Sequence, residues 1–262
     1  MIGSFQSFLP LAFRPFCSLC CFLFVSQPRV GVTAGADAGA GAGTGAGAGR
    51  ISAPEDYVPS ENPEVFLQVP ANKARIQDSM RNIETFPDMH EIVPGVWLGN
   101  QTAAGILMPF EERDAEGALR KKAACLTALR AHRISTIICC SQDDGEPFKG
   151  DGLIYLSELL LDGGLLQCDP AEKAKAEAQF ASFFARAIEL MNAAAAAGDS
   201  VLVHCNSGAN RSSSVVAGFM MLAQKKRFDE VMPIIFDKRP IVCPRYWSWL
   251  VLELEPEALR GR

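Results

Sequence analysis

Along residues 85–258 the apolar positions follow two alternating rhythms. Four short apolar runs, EIVPGVWLG (91–99), ISTIICCS (134–141), LIYLSELL (153–160) and SVLVH (200–204), read as strands. The second and fourth are nearly continuous, as in strands buried on both faces. Between the third and fourth, Phe180, Phe183, Phe184, Ala187, Ile188 and Met191 recur at helical spacing, and Gly198 supplies a helix stop. From Ser212 the helical rhythm returns with Val215, Val216, Phe219 and Met220. Strands alternating with helices predict an α/β fold on a central, mainly parallel sheet.

The first third of the chain has no such rhythm. PFCSLCCFLFV (15–25) follows Arg14 in a stretch, residues 1–30, that contains no acid. Its apolar core falls short of the roughly 20 residues a membrane span needs. It reads as a signal-like h-region with AGADA (34–38) offering small residues for cleavage, or as an upstream extension, or as a membrane-touching segment whose cysteines could be acylated. TAGADAGAGAGTGAGAG (33–49) has almost nothing to bury, so chain entropy favours disorder. Residues 50–84, with Pro54, Pro59, Pro63 and Pro70, are expected to be extended and loosely attached. The expected organisation is an N-terminal segment (1–30), a linker (31–84) and a catalytic domain (85–258).

Composition narrows the class. An apolar fraction of 48% over 262 residues suffices for a substantial core, and a net charge of −5 gives no electrostatic reason to expect nucleic acid as a partner. The nine cysteines lack the spacing of a disulfide framework, and reduced thiols in the cytoplasm are the expectation; a signal-like or anchoring role for residues 1–30 would instead imply the secretory pathway or a membrane. With no CxxC pair and three scattered histidines (His90, His132, His204), no metal site is expected.

Among the nine cysteines, only Cys205 stands six positions before an arginine, in VLVHCNSGANRSSSVV (201–216). With 201–204 a strand and Arg211 opening a helix, the intervening loop lies at the carboxyl end of a strand, where open α/β sheets bind ligands. The backbone N–H groups of Asn206, Ser207, Gly208, Ala209 and Asn210 can converge on one anion, aided by the helix N-terminus. Gly208 permits the turn, and Arg211 can grip two phosphate oxygens bidentately. The same field favours a thiolate at Cys205, suited to attack phosphorus and form a phosphocysteine. Ser212 can hydrogen-bond the sulfur and ease its departure. The bland alternative is a buried strand-end cysteine beside a surface arginine.

HCNSGANRS (204–212) resembles the signature loop of cysteine-based protein phosphatases. IVPGVWLGNQTAA (92–104), HRISTIICC (132–140) and FDEVMPIIFDKRPIVCP (228–244) resemble segments of their dual-specificity branch, in an atypical form with no evident kinase-docking module. The resemblance spans roughly residues 88–255. It implies a central sheet flanked by helices and hydrolysis of phosphotyrosine and phosphoserine or phosphothreonine in protein substrates, with no cofactor. It makes His204 a structural support of the loop and calls for a general acid after a strand, before the long helix. Asp162, directly after the third strand, takes that place; Asp169 is the rival, and as the residue before Pro170 it also reads as a helix N-cap. Where the family commonly has Ala and Ser, this loop has Ser207 and Asn210, and Arg245 replaces an Asn after Cys-Pro. The loop carries no lysine to meet extra phosphates, which favours protein substrates. A catalytically weak phosphoprotein-binding module, or a phosphatase of RNA 5′ ends, lipids or glycans, are the alternatives.

Overall fold

The computed structural model describes residues 57–83, 85–107, 115–141, 145–162 and 169–260. The expectations for residues 1–56 lie outside them. Five strands form one sheet: β1 (Met89–Val93), β2 (Val96–Gly99), β3 (Ile134–Cys139), β4 (Ile154–Ser157) and β5 (Ser200–His204), in the spatial order β1-β2-β5-β3-β4. Only the β1–β2 pair is antiparallel; β5 lies parallel between β2 and β3, and β4 lies parallel to β3. The run 91–99, expected as one strand, is instead a hairpin. Pro94 cannot donate a ladder hydrogen bond, and Gly95 takes the left-handed conformation (φ 80°) that turns the chain.

Strand alternation divides the core between the two faces of the sheet. Val201, Val203, Ile138 and Leu98 face one side, where α4 (Pro170–Ala197), α5 (Arg211–Gln224) and α6 (Phe228–Lys238) pack. Leu202, Ile137 and Ile134 face the other, against Phe148 and the Leu126–Leu129 end of α3 (Ala115–Ala131). Every residue of β5 is buried, as its unbroken apolar run predicts for a central strand. The helical spacing around Phe180 belongs to α4, which ends on Gly198 in the left-handed conformation and buries Phe180, Phe183, Phe184, Ala187 and Met191. Phe180 stacks on Tyr246 with ring centroids 4.1 Å apart, while Trp249 meets Phe180 and Phe184 edge-on.

Residues 57–83 depart from expectation. They carry two helices, α1 (Pro63–Gln68) and α2 (Pro70–Arg81), attached to the sheet domain. Two of the four prolines that suggested an extended segment, Pro63 and Pro70, stand at the first position of the two helices, where the missing N–H costs nothing. Phe66 packs edge-on against Phe236 of α6, with centroids 5.3 Å apart. The segment is tied down by a buried carboxylate, Glu255, in the helical run that follows Trp247. Glu255 accepts from the Tyr57 hydroxyl (2.8 Å), the Ser60 hydroxyl (2.6 Å) and the Phe228 N–H that opens α6 (2.8 Å). Among the described residues no helix is long and apolar enough to cross a membrane.

Candidate active site

The loop after β5 is shaped by where its carbonyls go. The Asn206 carbonyl accepts from the Gln101 N–H (3.2 Å), and the Ser207 and Gly208 carbonyls accept from the Arg239 guanidinium (2.9 and 3.0 Å). The Ala209 carbonyl accepts from the Cys243 N–H (2.8 Å), and the Asn210 carbonyl from the Ser213 and Ser214 hydroxyls (2.9 Å each). Five successive carbonyls are thus held by groups outside the loop. Because a trans peptide sets its C=O and N–H on opposite sides, the N–H groups of residues 207–211 point away from those partners. Gly208 has φ 67°, and a Cβ there would meet the Gly99 carbonyl oxygen at 2.4 Å.

Cys205 stands at the base of this loop, buried, with the Ser212 hydroxyl donating to its sulfur at 3.2 Å. Burial is the largest influence on this thiol and pushes it up. The Ser212 hydroxyl, the Arg211 charge and the Ser212 backbone N–H together outweigh it, so the thiol is held below its ordinary range despite the nearby Asp162. Arg211, the first residue of α5, is buried; its Nη2 lies 3.0 Å from Oδ2 of Asp162, and its Nη1 donates to the Leu160 carbonyl at 3.4 Å. Its Nε is buried with no hydrogen-bond partner among the described residues, a donor that a phosphate oxygen would satisfy.

The remaining sequence-predicted residues fall on two sides of this centre. Asp162 reaches the loop, where its Oδ1 also accepts from Nδ2 of Asn210 at 3.1 Å. Asp169 does not join that cluster in its hydrogen bonds: it caps α4, accepting from the N–H groups of Ala171 (2.8 Å) and Glu172 (2.9 Å). His204 is fully buried at the end of β5, between Gly99 of β2 and Cys139 of β3. Burial, with the Arg211 charge acting in the same direction, lowers its pKa to about 4 against the opposing Cys205 backbone, so the ring is neutral at pH 7.

Sequence reasoning missed the supports behind the loop. Arg239, quoted above only within the Arg-Pro segment, is buried and also donates to the Pro87 carbonyl (3.1 Å) and pairs with His90 Nδ1 (2.9 Å). Tyr246 donates its hydroxyl to the Leu161 carbonyl (3.0 Å), steadying the backbone beside Asp162. Their partners lie far away in sequence, and the local hint was Arg239-Pro240 alone.

The profile of the dual specificity phosphatase catalytic domain matches residues 120–255, more than half of the chain. Among curated relatives, dual specificity protein phosphatase 19 of Mus musculus is 32% identical over 68 residues, 26% of this chain and 31% of that protein. Dual specificity protein phosphatase 4 of Homo sapiens is 29% identical over 94 residues, 36% of this chain and 24% of that protein. The matched region therefore spans a third or less of the length of these relatives. A crystal structure of human DUSP28 superposes with a TM-score of 0.47 at 23% identity, covering 67% of this chain and 97% of that one.

Proposed function

The chain belongs to the dual specificity phosphatase family, and from that premise we propose that it hydrolyses phosphotyrosine and phosphoserine or phosphothreonine in proteins through a phosphocysteine intermediate. The observation that carries this reading is the convergence of four groups: Cys205 Sγ, the Ser212 hydroxyl on it, the Arg211 guanidinium, and the Asp162 carboxyl on that guanidinium. In the first step the Cys205 thiolate attacks phosphorus while the loop's backbone N–H groups and Arg211 hold the phosphoryl oxygens. The P–O ester bond breaks, and Asp162 gives its proton to the departing oxygen. In the second step water attacks phosphorus, Asp162 takes the water's proton, and the P–S bond breaks with the Ser212 hydroxyl stabilising the released thiolate. The protons balance with no further group.

Protein substrates suit the loop because Asn206, Ser207, Ala209 and Asn210 bring no positive side chain to meet further phosphates. A reducing, cytoplasmic setting suits a nucleophile that works as a free thiolate.

The test is turnover of para-nitrophenyl phosphate and of phosphopeptides by the full chain under reducing conditions. Wild type turns over, and Cys205→Ser abolishes the reaction. A wild-type chain that is inert yet binds vanadate would replace this reading with a phosphoprotein-binding module.

A further inference from the structure

Asp162 is held from two sides by two successive residues of different kinds. Arg211 Nη2 lies 3.0 Å from its Oδ2, and the Asn210 amide donates to its Oδ1 at 3.1 Å. Under the phosphatase reading, on which this inference rests, these partners cannot act together. Arg211 must turn its edge to the phosphoryl oxygens, which withdraws Nη2 from Asp162.

Asn210 has no such conflict. An amide N–H donates to the carbonyl oxygen of a carboxylic acid and to a carboxylate alike, so it can hold Oδ1 in both steps while Oδ2 faces the leaving oxygen. Its own backbone is fixed, since its carbonyl accepts from both the Ser213 and Ser214 hydroxyls. Elsewhere the acid segment is held by its main chain, through Leu160 and Leu161; only Asn210 and Arg211 bond the side chain of Asp162 among the described residues. A serine, which the family resemblance leads one to expect here, is a shorter side chain with its hydroxyl directly on Cβ.

We propose that Asn210 is a positioning residue that keeps the carboxyl of Asp162 over the leaving oxygen when Arg211 releases it to bind phosphate. Asn210→Ala then misplaces the acid without removing it. Its effect should scale with how much the leaving oxygen needs a proton.

The experiment compares kcat of the full chain on para-nitrophenyl phosphate, whose leaving group departs readily, with kcat on phenyl phosphate, whose leaving group does not. Wild type is set beside Asn210→Ala, Asn210→Asp, Asp162→Asn and the double variant Asp162→Asn/Asn210→Ala. Asn210→Ala should lose up to about tenfold more on phenyl phosphate than on para-nitrophenyl phosphate, as expected for one lost hydrogen bond to a neutral carboxylic acid. Asn210→Asp keeps the shape but cannot donate, and should lose at least as much. In the Asp162→Asn background, Asn210→Ala should add no further dependence on the leaving group. Should the alanine variant fail to fold, Asn210→Ser carries the same comparison. An even loss on both esters, or one undiminished without Asp162, overturns the tether and leaves the phosphatase intact. A wild-type chain inert on both esters overturns the two together.

Discussion

At the scale of single residues, the loop after β5 combines strict geometry with an altered thiol. Gly208→Ala should lower stability by about 1–3 kcal/mol, because a Cβ at φ 67° is strained and would collide with the Gly99 carbonyl oxygen 2.4 Å away. It should also depress kcat, and thermal melting beside steady-state kinetics checks both. The Cys205 thiol lies below its ordinary value of 9.0 through the Ser212 and Arg211 contacts that overcome its burial. Its rate of alkylation by iodoacetamide should therefore rise with pH through a midpoint below that of free cysteine. Ser212→Ala and Arg211→Ala should each move the midpoint upward; an unmoved midpoint would leave the depression without its assigned cause. Cys205 and Arg211 were readable from the sequence because both belong to one continuous loop. The partners of Asn210 and Arg239 were not, because Asp162 is 48 residues from Asn210 and Pro87 is 152 from Arg239.

At the scale of elements, periodicity located the strands and the helix around Phe180 well, since each buries a regular stripe against the sheet. It failed at two places between residues 57 and 99. The 91–99 run hid a hairpin behind continuous apolarity, and α1 and α2 lack a strong apolar stripe: α2 has no buried residue at all. What holds this segment is Glu255, whose carboxylate gathers the Tyr57 and Ser60 hydroxyls and caps α6. Glu255→Ala leaves the Ser60 hydroxyl and the Phe228 N–H buried without their acceptor. It should cost about 3 kcal/mol in urea unfolding and make residues 57–83 easier to cleave by protease. Unchanged unfolding with unchanged protection would contradict the latch.

At the scale of the whole molecule, two histidines, His204 buried and His90 half-buried, link stability to pH. His204, through burial and the Arg211 charge, and His90, through burial and the Arg239 charge, each have a pKa lowered from 6.5 to about 4. Between those values the unfolded chain binds protons that the folded chain refuses, so stability is full above about pH 6.5 and falls as pH drops toward 4. The urea midpoint should therefore decrease between pH 7 and pH 5. His90→Gln, which keeps an acceptor for Arg239, should flatten part of that slope. A midpoint that rises on acidification would reverse the assignment of both rings as neutral.

The sequence by itself determined the α/β class, the buried central strand and the loop from Cys205 to Ser212, because each depends on residues adjacent in the chain or on one repeating period. Sequence order also offered Asp169 as a cap of α4 beside its reading as the rival acid, and it does cap that helix, since capping is a local event between neighbours. The tertiary structure alone decided where the carbonyls of residues 206–209 point, that Asp162 meets both Arg211 and Asn210, and that residues 57–60 close on Glu255. Those contacts join residues that share no period and little sequence proximity. Only the packing of helices onto both faces of the sheet brings them within hydrogen-bond reach.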